Sequence, residues 1–151
     1  MFLKIAEQVI DKEIRALTLF KDQMSLEFNQ AVNLLNKVEG RICVSGIGKS
    51  GHIAKKISST FSSIGSPSFF IHPSEANHGD LGMITDKECI ILISNSGETP
   101  ELSNMINYCK NKSVPIIGIT SKEESTLAKA SKVLLKIPEN IEACPLDLAP
   151  T

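Results

Sequence analysis

The feature that most constrains this 151-residue chain is a series of short, uniformly apolar runs separated by segments with helical spacing. A strand that is apolar at every position is buried on both faces, as happens in a parallel sheet that helices cover on both sides. Helices between such strands supply the crossover connections that parallel pairing needs. The sequence therefore predicts an α/β fold, a three-layer α/β/α sandwich with a five-stranded parallel sheet. The predicted strands are residues 41–45, 68–71, 89–93, 114–120 and 133–137.

Residues 1–36 precede the first strand and contain neither Gly nor Pro. Their apolar residues recur at spacings of three, four or seven among charged and polar residues, which predicts a long N-terminal amphipathic helix. A helix of roughly 30 residues exceeds the usual globular length. It packs either against its own sheet or against a second copy of the chain, and the sequence leaves both open. The apolar residues are Ile10, Ile14, Leu17, Met24, Phe28, Ala31 and Leu35.

Residues 94–99 read Ser-Asn-Ser-Gly-Glu-Thr and lie between the third strand and a predicted helix. Three hydroxyls, an amide and a glycine thus stand where the backbone N–H groups of a new helix are unpaired and its dipole favours an anion. Thr99 suits the capping position, Pro100 the first helical position and Glu101 the first turn. The alternative is a well-capped helix without a ligand, but a cap needs one hydroxyl and this turn has three. We therefore predict a phosphate-binding loop.

Residues 46–51, Gly-Ile-Gly-Lys-Ser-Gly, form a glycine-rich turn between the first strand and a helix. The same pattern in dinucleotide-binding folds comes with an acidic residue at the end of the second strand, where this chain has His72. A nucleotide P-loop needs a glycine at the position of Cys43. The remaining interpretation is a turn whose backbone approaches a small phosphorylated ligand. Lys49 then either reaches into the site or is a solvated first-turn lysine.

Polar residues stand where the predicted strands end. Because the carboxyl ends of parallel strands lie along one edge of a sheet, we expect them to open toward one crevice, and open α/β sheets bind ligands there. The functional site is therefore expected at this edge. The residues concerned are Ser45, His72, Ser94 and Thr120.

Composition excludes several classes of function. With 42% hydrophobic and 22% charged residues the chain is an ordinary globular protein. A formal net charge of −1 and the lack of a basic stripe argue against nucleic acid or a membrane surface as a partner. Without a membrane span or a leader pattern, we expect one cytoplasmic domain over residues 1–151. The four cysteines lack metal-ligand spacing and are expected to be buried, reduced thiols: Cys43, Cys89, Cys109 and Cys144.

Several motifs occur in order along the chain: residues 45–52 (Ser-Gly-Ile-Gly-Lys-Ser-Gly-His), 69–73 (Phe-Phe-Ile-His-Pro), 75–82 (Glu-Ala-Asn-His-Gly-Asp-Leu-Gly), 94–98 (Ser-Asn-Ser-Gly-Glu) and 142–146 (Glu-Ala-Cys-Pro-Leu). Together they resemble the sugar isomerase (SIS) domain of D-arabinose 5-phosphate isomerases, a flavodoxin-like or Rossmann-like fold. The likeness covers nearly the whole chain.

The resemblance implies interconversion of D-arabinose 5-phosphate and D-ribulose 5-phosphate through an enediol, which requires a base and an electrophile for the developing oxyanion. It implies no metal and no cofactor, and we expect a homodimer or homotetramer. The family's catalytic residues fall on Lys49, His78, Glu101 and Glu142. Its phosphate-binding residues fall on Ser94, Asn95, Ser96 and Thr99, and the glycine turn lines the site with Gly46, Gly48 and Ser50.

Each catalytic assignment has a simpler alternative. His78 in a polar loop also suits a structural histidine that bonds a backbone carbonyl. Glu101 also suits a carboxylate that serves only the helix dipole. Glu142 lies in a Pro-containing segment where a solvated carboxylate is ordinary, so its role depends on the resemblance.

The sequence departs from the family in several places. Asp147 stands where the family has glycine, and Ser74 and Asn77 replace small residues near His78. Family members continue past residues 149–151 into a further helix, a catalytic histidine before a Pro-Gly-Gly turn, and two CBS regulatory domains, all of which we expect to be absent. Two functions therefore stay open. One is an isomerase feeding 3-deoxy-octulosonate synthesis for lipopolysaccharide or capsule, and the other is a catalytically inactive module that binds a sugar phosphate.

Overall fold

The computed structural model describes residues 2–139, 142–144 and 146 of the chain. The chain forms two compact units, of which the first comprises Met1–Ser25 with Ile137–Thr151 and the second comprises Leu26–Lys136. The expectation of one domain over residues 1–151 stays a prediction.

A five-stranded sheet forms the centre of the second unit, with the strands β1 (Ile42–Gly46), β2 (Ser68–Ile71), β3 (Cys89–Ile93), β4 (Ile116–Thr120) and β5 (Val133–Lys136). Their order is β2-β1-β3-β4-β5 and every neighbouring pair is parallel. No strand bound differs from the prediction by more than two residues. The largest difference is at β4, which begins after Pro115 because proline has no N–H to donate to the ladder. The predicted parallel sheet is confirmed.

Helices cover both faces of this sheet. Ile90 and Leu92 pack on the side that holds α5 and α6, whereas Val44 and Ile91 pack on the side that holds α2 and α3. Successive strand residues point to opposite faces, so uniformly apolar strands feed both layers. The three-layer sandwich is therefore confirmed. The helices of the second unit are α2 (Leu26–Leu35), α3 (Gly48–Ser63), α4 (Pro73–Ala76), α5 (Ser103–Asn111) and α6 (Thr126–Ala130), and the first unit contains α1 (Phe2–Gln23).

The N-terminal region is not one helix. A long helix is present, as predicted, but α1 ends at Gln23 and α2 begins at Leu26, so the prediction of a continuous helix over residues 1–36 is wrong. The break has a local signal, because Ser25 stands at the capping position of α2 and Glu27 lies in its first turn. Serine at the cap and glutamate in the first turn both favour the start of a helix. Apolar periodicity alone does not reveal such a start when the same periodic pattern continues through it.

Three of the four thiols lie in the core. Cys43, Cys89 and Cys109 are buried and free, and burial raises the pKa of Cys89 and of Cys109 to about 12. The prediction of burial is wrong for Cys144, which is half-buried on an irregular segment outside the sheet.

Candidate functional site

The strand order places a topological switch point between β1 and β3. These strands are neighbours, with Gly46 in register with Ile93 at their carboxyl ends. The chain leaving β1 enters α3 on one face of the sheet, and the chain leaving β3 enters α5 on the other face. Connections that part in opposite directions open a crevice between them, and ligands bind there in sheets of this order. The switch point therefore lies at the predicted edge.

The glycine turn forms the β1 side of this crevice. Gly48 has a φ of +57°, a left-handed conformation that favours glycine. A Cβ added at Gly51 would lie 2.7 Å from the carbonyl oxygen of Gly46, so only glycine lets α3 start this close to the strand. Ile47 occupies the capping position of α3 and has no polar atom to cap it. The first N–H groups of α3 thus have no side-chain cap and are available to an anion.

Lys49 and Ser50 lie in the first turn of α3. Lys49 is exposed and Ser50 is half-buried. Within the described part of the chain Lys49 forms no ion pair. Its ammonium group is therefore not neutralised by a carboxylate of these described residues, as an electrophile or a phosphate contact requires.

The residues 94–99, named here the 94–99 loop, form the β3 side. The Ser94 side chain is only 3% exposed, accepts a hydrogen bond from the N–H of Gly97 at 3.0 Å and lies 2.7 Å from the Thr99 hydroxyl. The Ser96 hydroxyl accepts a bond from the N–H of Glu98 at 3.2 Å. Asn95 and Ser96 are both exposed. The loop thus has an internally bonded base, and its rim presents an amide and a hydroxyl.

Three backbone donors of this loop are open. Among the described residues, the N–H groups of Asn95, Ser96 and Thr99 have no protein acceptor. Gly97 has a φ of +66°, a left-handed conformation that favours glycine and turns the backbone tightly between these donors. Unpaired N–H groups next to hydroxyls are the donor set that a phosphate accepts from.

Thr99 does not cap a helix as predicted. It stands at the position before the 3₁₀ turn Pro100–Leu102, but its side chain makes no capping bond. The Thr99 hydroxyl instead forms a hydrogen bond with the Ser94 hydroxyl. Pro100 and Glu101 lie in the first turn, as predicted.

Thr120, the last residue of β4, and the following Ser121 hold the loop in place. The carbonyl oxygen of Asn95 accepts bonds from the hydroxyls of Thr120 and Ser121, each at 2.9 Å. The N–H of Ser121 donates to the same oxygen at 3.1 Å. Thr120 was expected at this edge, but its role as an anchor had no sequence signal because its partner lies 25 residues away.

Glu98 provides a second anchor. Its two carboxylate oxygens accept from the backbone N–H of Thr126 at 2.6 Å and from the Thr126 hydroxyl at 2.7 Å. These hydrogen bonds lower the pKa of Glu98 below its ordinary value, since they stabilise the ionised form. The anchor therefore carries a full negative charge near neutral pH.

The remaining predicted residues are placed as follows. Glu101 and His78 are exposed in the second unit, and neither side chain forms an ion pair with a described residue. Glu142 belongs to the first unit, is half-buried, and accepts a bond at its carbonyl oxygen from Lys12 at 3.2 Å. The convergence of Glu142 with Lys49 and Glu101 stays a prediction. Pro145 and Asp147 lie outside the described residues.

No group of three or more His, Cys, Asp or Glu side chains in the part of the chain that the structure describes is arranged to hold a metal ion. No helix there is long and apolar enough to cross a membrane.

Comparison with known proteins gives a family and relatives. The family model described as "SIS domain" matches residues 34–151. An uncharacterized protein of Rickettsia prowazekii (strain Madrid E) is 51% identical over 139 residues, which is 92% of this chain and 44% of that protein. An arabinose 5-phosphate isomerase of Francisella tularensis subsp. tularensis is 45% identical over 142 residues, which is 92% of this chain and 43% of that enzyme. The chain thus spans less than half of the length of these curated relatives.

A solved structure matches over nearly the whole chain. It is that of an E. coli CFT073 protein in complex with arabinose 5-phosphate, and it is 37% identical to this chain with a TM-score of 0.94. The match covers 99% of this chain and 80% of that protein.

Proposed function

This chain belongs to the SIS domain family, and on that basis we propose that it binds a pentose 5-phosphate and interconverts D-arabinose 5-phosphate and D-ribulose 5-phosphate. Relatives named arabinose 5-phosphate isomerases, and a structural relative in complex with arabinose 5-phosphate, support this substrate class.

The observation that carries the proposal is the 94–99 loop. It presents open N–H groups of Asn95, Ser96 and Thr99 at the switch point and is anchored through Asn95 and Glu98 by hydrogen bonds within the protein. A donor set that is already ordered loses little conformational entropy on binding. Ser94, Asn95, Ser96 and Thr99 accordingly grip the phosphate, and Gly46, Gly48 and Ser50 line the opposite wall.

The chemistry requires a proton to move between two carbons. A base removes the proton from C2 of the aldose while the carbonyl oxygen at C1 gains one, which gives the enediol. The enediol is then protonated at C1 while its hydroxyl at C2 gives up a proton, and the C2 oxygen becomes the carbonyl of the ketose. In the proposal Glu101 or Glu142 is the base, and Lys49 stabilises the developing oxyanion. His78, exposed beside α4, assists the proton transfers at the sugar oxygens. This scheme uses only side chains of the protein and requires no cofactor.

The proposed setting is metabolic. The product D-arabinose 5-phosphate would feed 3-deoxy-octulosonate synthesis for lipopolysaccharide or capsule, and we place the protein in the cytoplasm, where sugar phosphates are made. We propose a homodimer or homotetramer, because α1 contains no buried residue and exposes Ile10, Ile14 and Leu17. Sedimentation at micromolar concentration that shows only single chains would exclude this assembly.

A second candidate is a module that binds the sugar phosphate without isomerising it. The anchored 94–99 loop is complete within the second unit, whereas Glu142 belongs to the first. All residues proposed for binding therefore lie in one compact unit, whereas the residues proposed for catalysis belong to both units.

One experiment separates the two candidates. The purified chain is titrated calorimetrically with D-arabinose 5-phosphate and with D-arabinose, and formation of D-ribulose 5-phosphate is then assayed. The proposed isomerase binds only the phosphorylated sugar and turns it over. Binding without turnover would favour the module, and equal binding of both sugars would contradict both candidates.

A further inference from the structure

The side chain of Glu98 links the 94–99 loop to a helix that starts 28 residues later. One carboxylate oxygen accepts from the N–H of Thr126 at 2.6 Å, and the other accepts from the Thr126 hydroxyl at 2.7 Å. Thr126 is the first residue of α6, and Ser125 caps that helix by accepting from the N–H of Ala128 at 3.2 Å. The carboxylate therefore takes up donors at the start of α6 that the Ser125 cap leaves unpaired.

The loop backbone is seated on the same point of α6. The N–H of Leu127 donates to the carbonyl oxygen of Gly97 at 3.0 Å. A Cβ added at Gly97 would lie 2.1 Å from the Ser125 hydroxyl oxygen, so the two segments touch at van der Waals distance. Glu98 thus closes a two-point attachment next to the tightest bend of the loop.

Glu98 places a negative charge inside a loop that is proposed to bind an anion. A carboxylate within a phosphate-binding loop repels the phosphate and weakens binding by electrostatics alone. Both oxygens of Glu98 are already occupied by Thr126 donors, so the group is badly placed to accept a proton from a substrate. A negative charge in this loop needs a different reason, and the attachment to α6 provides it.

We propose that Glu98 is a positioning residue of the 94–99 loop, holding the open N–H groups of Asn95, Ser96 and Thr99 in the arrangement that receives a phosphate. The inference rests on the proposed function, because it names the support of the same binding loop. Glu98 acts through Thr126 and does not touch the substrate.

Electrostatics and positioning predict opposite results for one substitution. Glu98→Ala removes a negative charge near the phosphate, so electrostatics alone predicts tighter binding of D-arabinose 5-phosphate. Loss of the attachment predicts weaker binding, with Kd raised roughly tenfold, the size of one charge-assisted hydrogen bond. Glu98→Gln keeps an oxygen that accepts from the N–H of Thr126 and should recover part of the affinity. Glu124→Ala, which removes an exposed carboxylate beside the same helix, is the matched control and should leave Kd unchanged.

A ligand-free measurement tests the attachment itself. Amide hydrogen exchange at Gly97 and Leu127 should accelerate about tenfold in Glu98→Ala, in line with the same lost bond, and stay at the wild-type rate in Glu124→Ala. Thr126→Val should accelerate exchange less, because the backbone N–H of residue 126 is retained.

The outcomes separate this inference from the proposed function. Unchanged or tighter binding by Glu98→Ala, or unchanged exchange at both amides, would overturn the positioning role while wild-type binding still supports the proposed function. A wild-type chain that does not bind D-arabinose 5-phosphate would overturn the proposed function and the positioning role together.

Discussion

The two edges of the sheet use polar side chains in opposite ways. At the amino edge, just before β1 and β3, Glu88 is 5% exposed and accepts from both the N–H and the hydroxyl of Thr85 at 2.5 Å. Arg41 donates to the same carboxylate at 3.3 Å and to the carbonyl oxygen of Met83 at 2.8 Å. The Arg41 guanidinium also lies 4.3 Å from the centre of the Phe69 ring. Both of these charges are matched within the fold.

At the carboxyl edge the charges and donors are left open. Lys49 and Glu101 are exposed and have no ion pair among the described residues, and the N–H groups of Asn95 and Ser96 have no acceptor there. The supports of the loop, Glu98 among them, are bonded.

The two edges of the sheet thus serve different purposes, stability at the amino edge and ligand binding at the carboxyl edge. Polar groups that bond to each other within the protein stabilise the fold and leave no donor or acceptor for a ligand. Open backbone donors on an anchored loop favour binding, and contact with solvent keeps the free-energy cost of leaving them unpaired small. Substitutions at the amino edge should therefore change unfolding, and substitutions at the carboxyl edge should change binding or turnover.

The largest expected effect is on turnover at the carboxyl edge. If Glu101 is the base, Glu101→Gln should lower the rate of D-ribulose 5-phosphate formation at least ~100-fold, the low end of a general base's contribution. Affinity for D-arabinose 5-phosphate and the free energy of unfolding should change little, because the side chain is exposed and lies outside the loop. Glu39→Gln at the amino edge is the control. Wild-type rates of solvent-deuterium exchange at C2 of the sugar would move the base role to Glu142 or His78.

A smaller effect, on stability, is expected at the amino edge. Glu88→Gln removes the charge and leaves a Thr85 or Arg41 donor without its acceptor, which should lower the free energy of unfolding by ~1–3 kcal/mol. Urea unfolding measures this change. Glu39→Gln should cost less than ~0.5 kcal/mol, since its pair with Lys87 is exposed. A loss of sugar-phosphate affinity in Glu88→Gln would break the division between the two edges.

The smallest effect concerns acid pH. Burial raises the pKa of Glu88, but the bonds from Thr85 and Arg41 outweigh it and hold the pKa below the ordinary value of 4.5. A carboxyl group whose pKa is lowered by folding stabilises the native state above its unfolded pKa, and the contribution disappears as pH falls through the folded pKa. Below pH 4.5 the wild-type chain should therefore lose its stability advantage over Glu88→Gln. An advantage that stays constant as the pH falls well below that value would contradict this assignment.

The sequence predicts the sheet well, because its strands consist mainly of apolar residues and few other structures bury such runs. It also locates the 94–99 loop, whose hydroxyls are adjacent in the chain. It does not predict the break after Gln23, where a capping serine lies inside a continuing apolar pattern.

The supports of the site are harder to predict. Glu98 and Thr126 are 28 residues apart, and Asn95 and Thr120 are 25 apart, so neither contact leaves a local pattern. In the local sequence, Glu98 looks like an ordinary charged residue just before a helix. Only the parallel pairing of β3 with β4 brings these partners together.

We propose that the 94–99 loop grips the phosphate, and calorimetric titration of D-arabinose 5-phosphate into the variant carrying Ser94→Ala and Ser96→Ala tests this role. The control carries Ser59→Ala and Ser63→Ala, which remove two exposed serines of α3. The loop variant should lose ~2–3 kcal/mol of binding free energy, roughly 30- to 150-fold in Kd, while the control binds as the wild type does. Equal affinity in the loop variant, the control and the wild type would contradict the claim.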